Sequence, residues 1–306
     1  MYSITAHSGA KTDGENNLDI SKLKKQVAGT SSQRANAVPF IAFPAPLVEQ
    51  QYLIADLIKG SHDSKVFVPF CTDSRWQIPM QIGMTGAEFL AQYGLQIAPT
   101  PATGNGQYYA VTMSLLDIQF DTSNHIEELE QMTRHLKEGI KQASRHAYEV
   151  EFPHDIRQAI LVSTQLDIDD QELKVPETAE ESNLLFQQYI DDIARSPSSI
   201  SSYVPVEQWG TEVTLRMMAK LLQQPIFVII ASPDLQATPN FQVYQPERVA
   251  KSGFMLDTVE AYYIAGSKSE QWFSRLQHVC RDSDSMTNSP IVLLYINFYY
   301  SALSCN

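Results

Sequence analysis

The spacing of apolar residues changes between the middle and the last third of the chain, and this change constrains the fold more than any other feature. After Asn124 an apolar residue recurs every three or four positions, at Ile126, Leu129, Met132, Leu136, Ile140, Ala143 and Ala147. This spacing predicts an amphipathic helix, with Asn124 as its N-cap and Glu127 completing a capping box. Residues 226–231 and 291–296 are instead near-continuous apolar runs, which are typical of strands covered on both faces. The chain is therefore predicted to have an α+β fold with a small sheet between helices.

The same criteria predict the rest of the organisation. Further helices are predicted over residues 47–58, 86–93, 155–162, 182–193 and 211–222, and a third strand over residues 262–265. Residues 1–36 are mainly polar and offer little apolar surface to offset the entropy of ordering, so they are predicted to form a flexible tail. The predicted domain covers residues 37–306, with a helical lobe inserted at about residues 124–200.

The charge of the chain narrows the classes of partner. The sequence contains 22 Lys and Arg residues against 35 Asp and Glu residues, which gives a formal net charge of −13. This charge repels the phosphates of nucleic acids and the headgroups of anionic membranes, so neither is an expected partner. An acidic surface suits a basic patch on a protein partner.

Cysteine usage and hydropathy bear on the compartment. The three cysteines, Cys71, Cys280 and Cys305, are too few and too widely spaced for a disulfide framework or a closed zinc site. No apolar run reaches the ~20 residues that cross a bilayer, and residues 1–13 lack the regions of a cleavable secretory signal. We therefore expect a cytoplasmic protein without a membrane span, and export by machinery that reads other signals stays open.

Three separated segments, in the right order, resemble the ovarian-tumour (OTU) family of cysteine proteases, which are deubiquitinases with a papain-type fold. Residues 103–111, TGNGQYYAV, are similar to the family's Gly-Asp-Gly-Asn-Cys loop, which leads into the helix that carries the nucleophile. Residues 209–215, WGTEVTL, are similar to its Trp-Gly-Gly segment, and residues 293–300, LLYINFYY, to the strand that ends in its His-Tyr pair. The resemblance covers roughly residues 90–306 and implies an OTU-like fold; the alternative is an unrelated α+β fold.

The catalytic residues of the family are replaced in this sequence. The positions that match its aspartate, cysteine and histidine hold Asn105, Tyr108 and Tyr299, and a shift of one residue would place Phe298 at the histidine. A phenol with a pKa of ~10 is a poor nucleophile at neutral pH, and it accepts a proton far less readily than an imidazole. The resemblance therefore implies a degenerate centre with no catalytic residue. The candidate binding residues around this centre are Gly104, Gly106, Trp209 and Tyr300.

The resemblance implies a pseudoenzyme that binds a protein partner, with ubiquitin or a ubiquitin-linked protein as the leading candidate and without a cofactor. The long insertion after the glycine loop is similar to the helical lobes of OTU-like effectors that intracellular bacteria such as Legionella inject. An effector of this kind would act in the host cytoplasm. The inserted lobe would either extend a ubiquitin-binding surface or only cover the sheet.

Other residues were weighed as sites. Cys71 is a candidate unconventional nucleophile, which would make the chain an active cysteine deubiquitinase, although a free Cys in an apolar setting is more often a buried small residue. His125, His135 and His146 do not form a metal signature and are expected to be solvated helix residues. Residues 167–172 begin like a calcium loop but lack its central Gly and its closing Glu. No metal site is therefore predicted. A third hypothesis for the function, besides a pseudoenzyme and an active deubiquitinase, is an interaction domain that does not bind ubiquitin.

Overall fold

A mixed sheet of six strands lies at the centre of the part of the chain that the structure describes. The computed structural model describes residues 40–62, 81–116, 118, 122–146, 152–166, 175–251, 253–282, 291–297 and 299–305. The strands are β1 (Leu95–Ala98), β2 (Ile226–Ile230), β3 (Asn240–Lys251), β4 (Phe254–Ile264), β5 (Ile291–Ile296) and β6 (Tyr299–Cys305). Their order in the sheet is β1-β6-β5-β2-β3-β4. Strands β2 and β5 are parallel, and every other neighbouring pair is antiparallel.

Helices cover both faces of this sheet. They are α1 (Ala45–His62), α2 (Gly86–Gln92), α3 (Gly106–Leu116), α4 (Ile126–Arg145), α5 (His154–Leu166), α6 (Ala179–Arg195), α7 (Glu212–Leu222) and α8 (Ser269–Asp282). Short 3₁₀ turns precede three of them, at Thr122–His125, Val206–Gln208 and Gly266–Lys268. Helix α4 packs against α1, α6 and α7. Gly139 allows the close crossing with α7, because a Cβ at this position would overlap the side chain of Leu221.

Alternate residues of the central strands point into two separate cores. From β2, Ile226 and Val228 join the larger core, which also contains residues of α1, α3, α4, α6 and α7. Phe227 and Ile229 point the other way, into a smaller core with α2 and α8. There the ring of Trp272 stacks on Phe241, with centroids 4.7 Å apart. These strands are therefore buried on both faces, as their near-continuous apolar sequence predicts.

The structure confirms the α+β prediction and most of the predicted elements. The predicted helices lie within about four residues of observed ones, and so do the strands predicted over 226–231 and 291–296. The strand predicted over 262–265 overlaps only the end of β4, and sequence reasoning did not predict β1, β3 and β6. The N-cap prediction at Asn124 is wrong, because this residue lies inside a 3₁₀ turn and the extended backbone of an N-cap is not available to it. His125 occupies the cap position without a side-chain capping bond. Residues 39–306 form one compact unit, and the predicted tail lies outside the described residues.

Candidate functional site

The segments at the start of α3, before α7 and at the start of β6 meet at a small cleft. It has an empty volume of about 320 Å³ and is lined by Ala102, Gly104, Gly106, Gln107, Trp209, Gly210, Tyr299 and Tyr300. None of these lining residues is charged. The three segments are the ones on which the family resemblance depends, and the tertiary structure places them together.

Two glycines allow the segments to approach this closely. Gly104 has φ +92°, and a Cβ on it would lie 2.5 Å from the indole nitrogen of Trp209. A Cβ on Gly210 would overlap the side-chain amide of Gln107. The indole N–H of Trp209 donates to the carbonyl of Val204 at 2.8 Å, which fixes the ring against its own loop. The walls of the cleft are therefore held by direct contacts that side chains at the two glycine positions would break.

Gln107 forms part of the cleft floor and is almost fully buried, with 3% of its surface exposed. Its Nε2 donates to the carbonyl of Thr211 at 3.1 Å, and its Oε1 accepts from the hydroxyl of Thr214. The hydroxyl of Tyr189 lies 3.1 Å from that of Thr211 and extends the network into α6. Because an amide is neither a nucleophile nor a base at neutral pH, the floor holds the cleft in shape and supplies no acid–base group.

The sequence-predicted centre is divided between the cleft and the core. Tyr299 lines the cleft, together with Gly104, Gly106, Trp209 and Tyr300. Tyr108 and Asn105 are fully buried and do not line it.

Both buried members of the predicted centre have structural contacts. The Nζ of Lys137 lies 5.1 Å above the ring of Tyr108, and burial raises the pKa of the Tyr108 phenol further above its ordinary value. Asn105 donates through Nδ2 to the carbonyl of Pro197 at 2.8 Å. Tyr108 is therefore a neutral phenol in the core.

Ala102, Gln107 and Gly210 are the described lining residues that sequence reasoning missed. The family alignment assigns the nucleophile to position 108, but the first turn of α3 directs the preceding side chain towards the cleft. A usable signal was the position of Gln107 between the helix-opening Gly106 and a run of apolar residues that belong to the core.

The aromatic wall comes from the β5–β6 hairpin and the loop before α7. Asn297 has φ 49°, which fits the tight turn between the paired residues Ile296 and Tyr299. The ring centroids of Tyr299 and Trp209 are 6.4 Å apart with an interplanar angle of 42°, and Tyr299 is 50% exposed. Burial raises the pKa of Tyr300 well above its usual value. The cleft thus presents aromatic faces to solvent above an uncharged floor.

A set of buried and half-buried side chains clamps the loop at residues 196–200, which leads to the Trp209 wall. Lys137 donates to the carbonyl and hydroxyl of Ser196 at 3.3 and 2.6 Å and to the carbonyl of Pro197 at 2.9 Å. Burial lowers the pKa of Lys137 to about 7. The carboxylate of Glu130 accepts from the Ser199 hydroxyl at 2.7 Å and from the Ile200 N–H at 2.9 Å, and these bonds lower its pKa. The loop is therefore tied to α4 by polar bonds.

The remaining candidate groups lie away from the cleft or outside the described residues. His125 is 3.8 Å from Glu128, His135 contacts Gln50 at 3.0 Å, and His146 packs edge-on against Phe43 at 5.0 Å. The expectation that these histidines are solvated is wrong for His146, which is 7% exposed, because its ring at the C-terminal end of α4 packs against Phe43.

Three further predictions concern residues outside the described part of the chain. Cys71, Phe298 and the acidic segment at 167–172 are outside the described residues. Within the described part of the chain no three His, Cys, Asp or Glu residues are grouped to hold a metal ion. No described helix is long and apolar enough to span a bilayer.

Comparison with solved structures gives a distant likeness. No protein-family model matches the sequence, and no curated protein matches it. Among solved structures, the chain is similar to the viral OTU domain protease from Farallon virus, with 12% sequence identity and a TM-score of 0.34. The match covers 69% of this chain and 83% of that one. A likeness at this level carries no argument about activity.

Proposed function

We propose that this chain is an OTU-like pseudoenzyme that binds a protein partner at the cleft without cleaving it. Ubiquitin or a ubiquitin-linked protein is the leading candidate partner. The observation that carries this proposal is the composition of the cleft: the three OTU-like segments converge there, yet none of the eight described lining side chains is a thiol, an imidazole or a carboxylate. Covalent cleavage of an amide requires a nucleophile and a base in hydrogen-bond reach of each other.

The backbone of β6 beyond its pairing with β1 supports binding of an extended polypeptide. Strand β1 pairs with residues 302–305 of β6, so the pairing does not extend to the start of β6. The N–H of Ala302 donates to the hydroxyl of Thr100 and therefore points to the side of β6 that faces away from β5. Tyr300 is two residues earlier in β6, so its N–H and carbonyl point to the same side. The Tyr300 carbonyl oxygen lies 3.7 Å from the place of a Cβ on Gly106, which orients it towards the cleft. Such an edge suits strand addition by an extended segment.

The loop beside the cleft adds apolar surface of the kind that protein partners cover. Tyr203 is 76% exposed and Val206 is 45% exposed, and both belong to the segment that positions Trp209. Aromatic residues on a rigid wall are common anchors in protein interfaces.

Titration of ¹⁵N-labelled ubiquitin with the full chain tests the binding part of the proposal. We expect amide shifts in ubiquitin on binding to the parent chain. Gly106→Val, which fills the cleft, should weaken the affinity measured from these shifts at least fivefold. A Cβ at position 106 meets only ordinary contacts at 3.7 and 3.8 Å, so the variant is expected to fold. Gly60→Ala in α1 is the matched control, since a Cβ there meets nothing within 4 Å. Absence of any ubiquitin shift would favour an interaction domain with a different partner.

A ubiquitin-derived electrophilic probe tests the non-cleaving part. The pseudoenzyme is expected to bind the probe reversibly and to remain unlabelled over hours. Covalent labelling that disappears in Cys71→Ala would refute the pseudoenzyme and establish the alternative, an active cysteine deubiquitinase with an unconventional nucleophile.

A further inference from the structure

Two aromatic rings of the cleft wall are inclined to each other, with Tyr299 half exposed and Trp209 partly buried. With centroids 6.4 Å apart and planes inclined at 42°, the rings of Trp209 and Tyr299 diverge on one side. A group placed in the opening lies within the ~6 Å at which a cation is attracted to the face of an aromatic ring. Trp provides the strongest attraction of this kind, followed by Tyr.

Carbonyl and carboxylate oxygens near the cleft are hydrogen-bond acceptors. The carbonyl oxygens of Tyr300 and Pro101 lie 3.7 and 3.8 Å from the place of a Cβ on Gly106, and both are close to the cleft floor. Glu212, the first residue of α7, follows the lining residue Gly210 by two positions, and its carboxylate accepts from Gln242 at 2.7 Å. The Glu212 charge contributes to the raised pKa of Tyr300, which is consistent with a carboxylate near the floor.

None of the described side chains that line the cleft is charged, and the chain as a whole has a net charge of −13. Aromatic faces, carbonyl oxygens and a nearby carboxylate together favour a positively charged ligand group.

We propose that the cleft selects a cationic side chain, Lys or Arg, of a basic extended polypeptide, and holds it against Trp209 and Tyr299. This inference rests on the proposed function in treating the cleft as a protein-binding site, and it names the chemistry of the group that enters. The cleft is small and lined by eight residues, so it suits one side chain and not a larger ligand.

A pair of small probes isolates the charge. N-acetyl-arginine methylamide carries the cation, and N-acetyl-citrulline methylamide replaces its guanidinium by a neutral urea of the same shape. The readout is the indole N–H signal of Trp209 in the full chain, one of three Trp residues, assigned by its loss in Trp209→Phe. We expect the arginine probe to shift this signal and the citrulline probe to bind at least fivefold more weakly. Equal binding of both probes would overturn the proposal.

Three variants assign the contacts. Tyr299→Leu should weaken the affinity for the arginine probe about two- to fivefold. Tyr299→Phe keeps the ring, so its affinity for the probe should stay within twofold of the parent's. Glu212→Gln can still accept the hydrogen bond from Gln242. It should weaken the affinity for the arginine probe and reduce the salt dependence of that affinity. If Tyr299→Phe loses as much as Tyr299→Leu, the hydroxyl and not the ring face makes the contact, and the cation–π assignment is wrong.

The two proposals fail in different ways. An arginine-selective shift without any ubiquitin binding would refute ubiquitin as the partner and retain the cationic ligand. Ubiquitin binding that is sensitive to Gly106→Val, but unaffected by Tyr299→Leu and accompanied by no arginine shift, would retain the proposed function and refute the cationic ligand.

Discussion

The buried amine of Lys137 should make the stability of the fold depend on pH in a direction that can be calculated. Its side chain is fully buried, and burial lowers its pKa to about 7 from the ordinary value of 10.5. Below pH 7 both the folded and the unfolded chain hold this proton. Above pH 7 the folded chain releases it while the unfolded chain keeps it, so the unfolded state binds more protons and the free energy of unfolding rises with pH.

The size of the effect follows from the two pKa values. Each pH unit over which only the unfolded state is protonated contributes about 1.4 kcal/mol. Between pH 7 and pH 9 the difference in bound protons integrates to about 2 kcal/mol, since the folded site is half protonated at the start of the interval. The hydrogen bonds to Ser196 and Pro197 are all to neutral oxygens, so among the described residues no carboxylate is bonded to Lys137 to offset the cost of burying the charge.

Urea unfolding at pH 7, 8 and 9 provides the assay, with Lys137→Met as the variant that removes the titrating group. The stability of the parent relative to Lys137→Met should rise by about 2 kcal/mol across this interval. Lys59→Met is the control, because Lys59 is exposed near the end of α1 and its loss should leave the pH dependence of the parent intact. Parallel pH profiles for the parent and Lys137→Met would refute the reasoning. Comparing variants cancels the titration of groups common to both.

Three further predictions concern the interior and the cleft. Burial, with a smaller effect of a nearby lysine, lowers the pKa of His146 to about 4. The free energy of unfolding should therefore fall by roughly 3 kcal/mol as the pH drops from 6.5 to 4, because the unfolded chain takes up this proton first. Urea unfolding of His146→Phe should show a smaller fall over the same interval. Gly104→Ala should lower the free energy of unfolding by about 3 kcal/mol or more, because its Cβ would lie 2.5 Å from the indole nitrogen of Trp209. Gly253→Ala is the control and should cost only about 1 kcal/mol, because Gly253 has φ +78° but nothing within 4 Å of the added Cβ. Equal losses of stability in thermal unfolding would mean that backbone strain alone decides the cost. In the folded protein, iodoacetamide should modify the thiol of Gln107→Cys faster than that of Tyr108→Cys, and faster labelling at position 108 would contradict the placement of these side chains. Tyr108→Cys should also lose on the order of 3 kcal/mol of stability through the cavity that it leaves.

Residues that are regular along the chain could be assigned from the sequence because their pattern is local. The helical stripe from Leu129 to Ala143 is fully buried, and the apolar runs of β2 and β5 are buried on both faces. The strands that sequence reasoning missed lack such a pattern. Strand β3 contains Pro246, which lies beyond the last residue paired with β2, at Tyr244, so the missing N–H of the proline removes no bond to β2.

The sequence by itself determined the fold class, most elements and the three segments that carry the OTU-like pattern. Only the tertiary structure decided which side chains of those segments share a cleft. Adjacent helix residues point about 100° apart, so the packing of α3 decides that Gln107 reaches the cleft while Tyr108 enters the core beneath Lys137. The polar bonds of Lys137 and Glu130 to the loop at 196–200 span from about 60 to 70 residues, and no local pattern indicates contacts over such a distance.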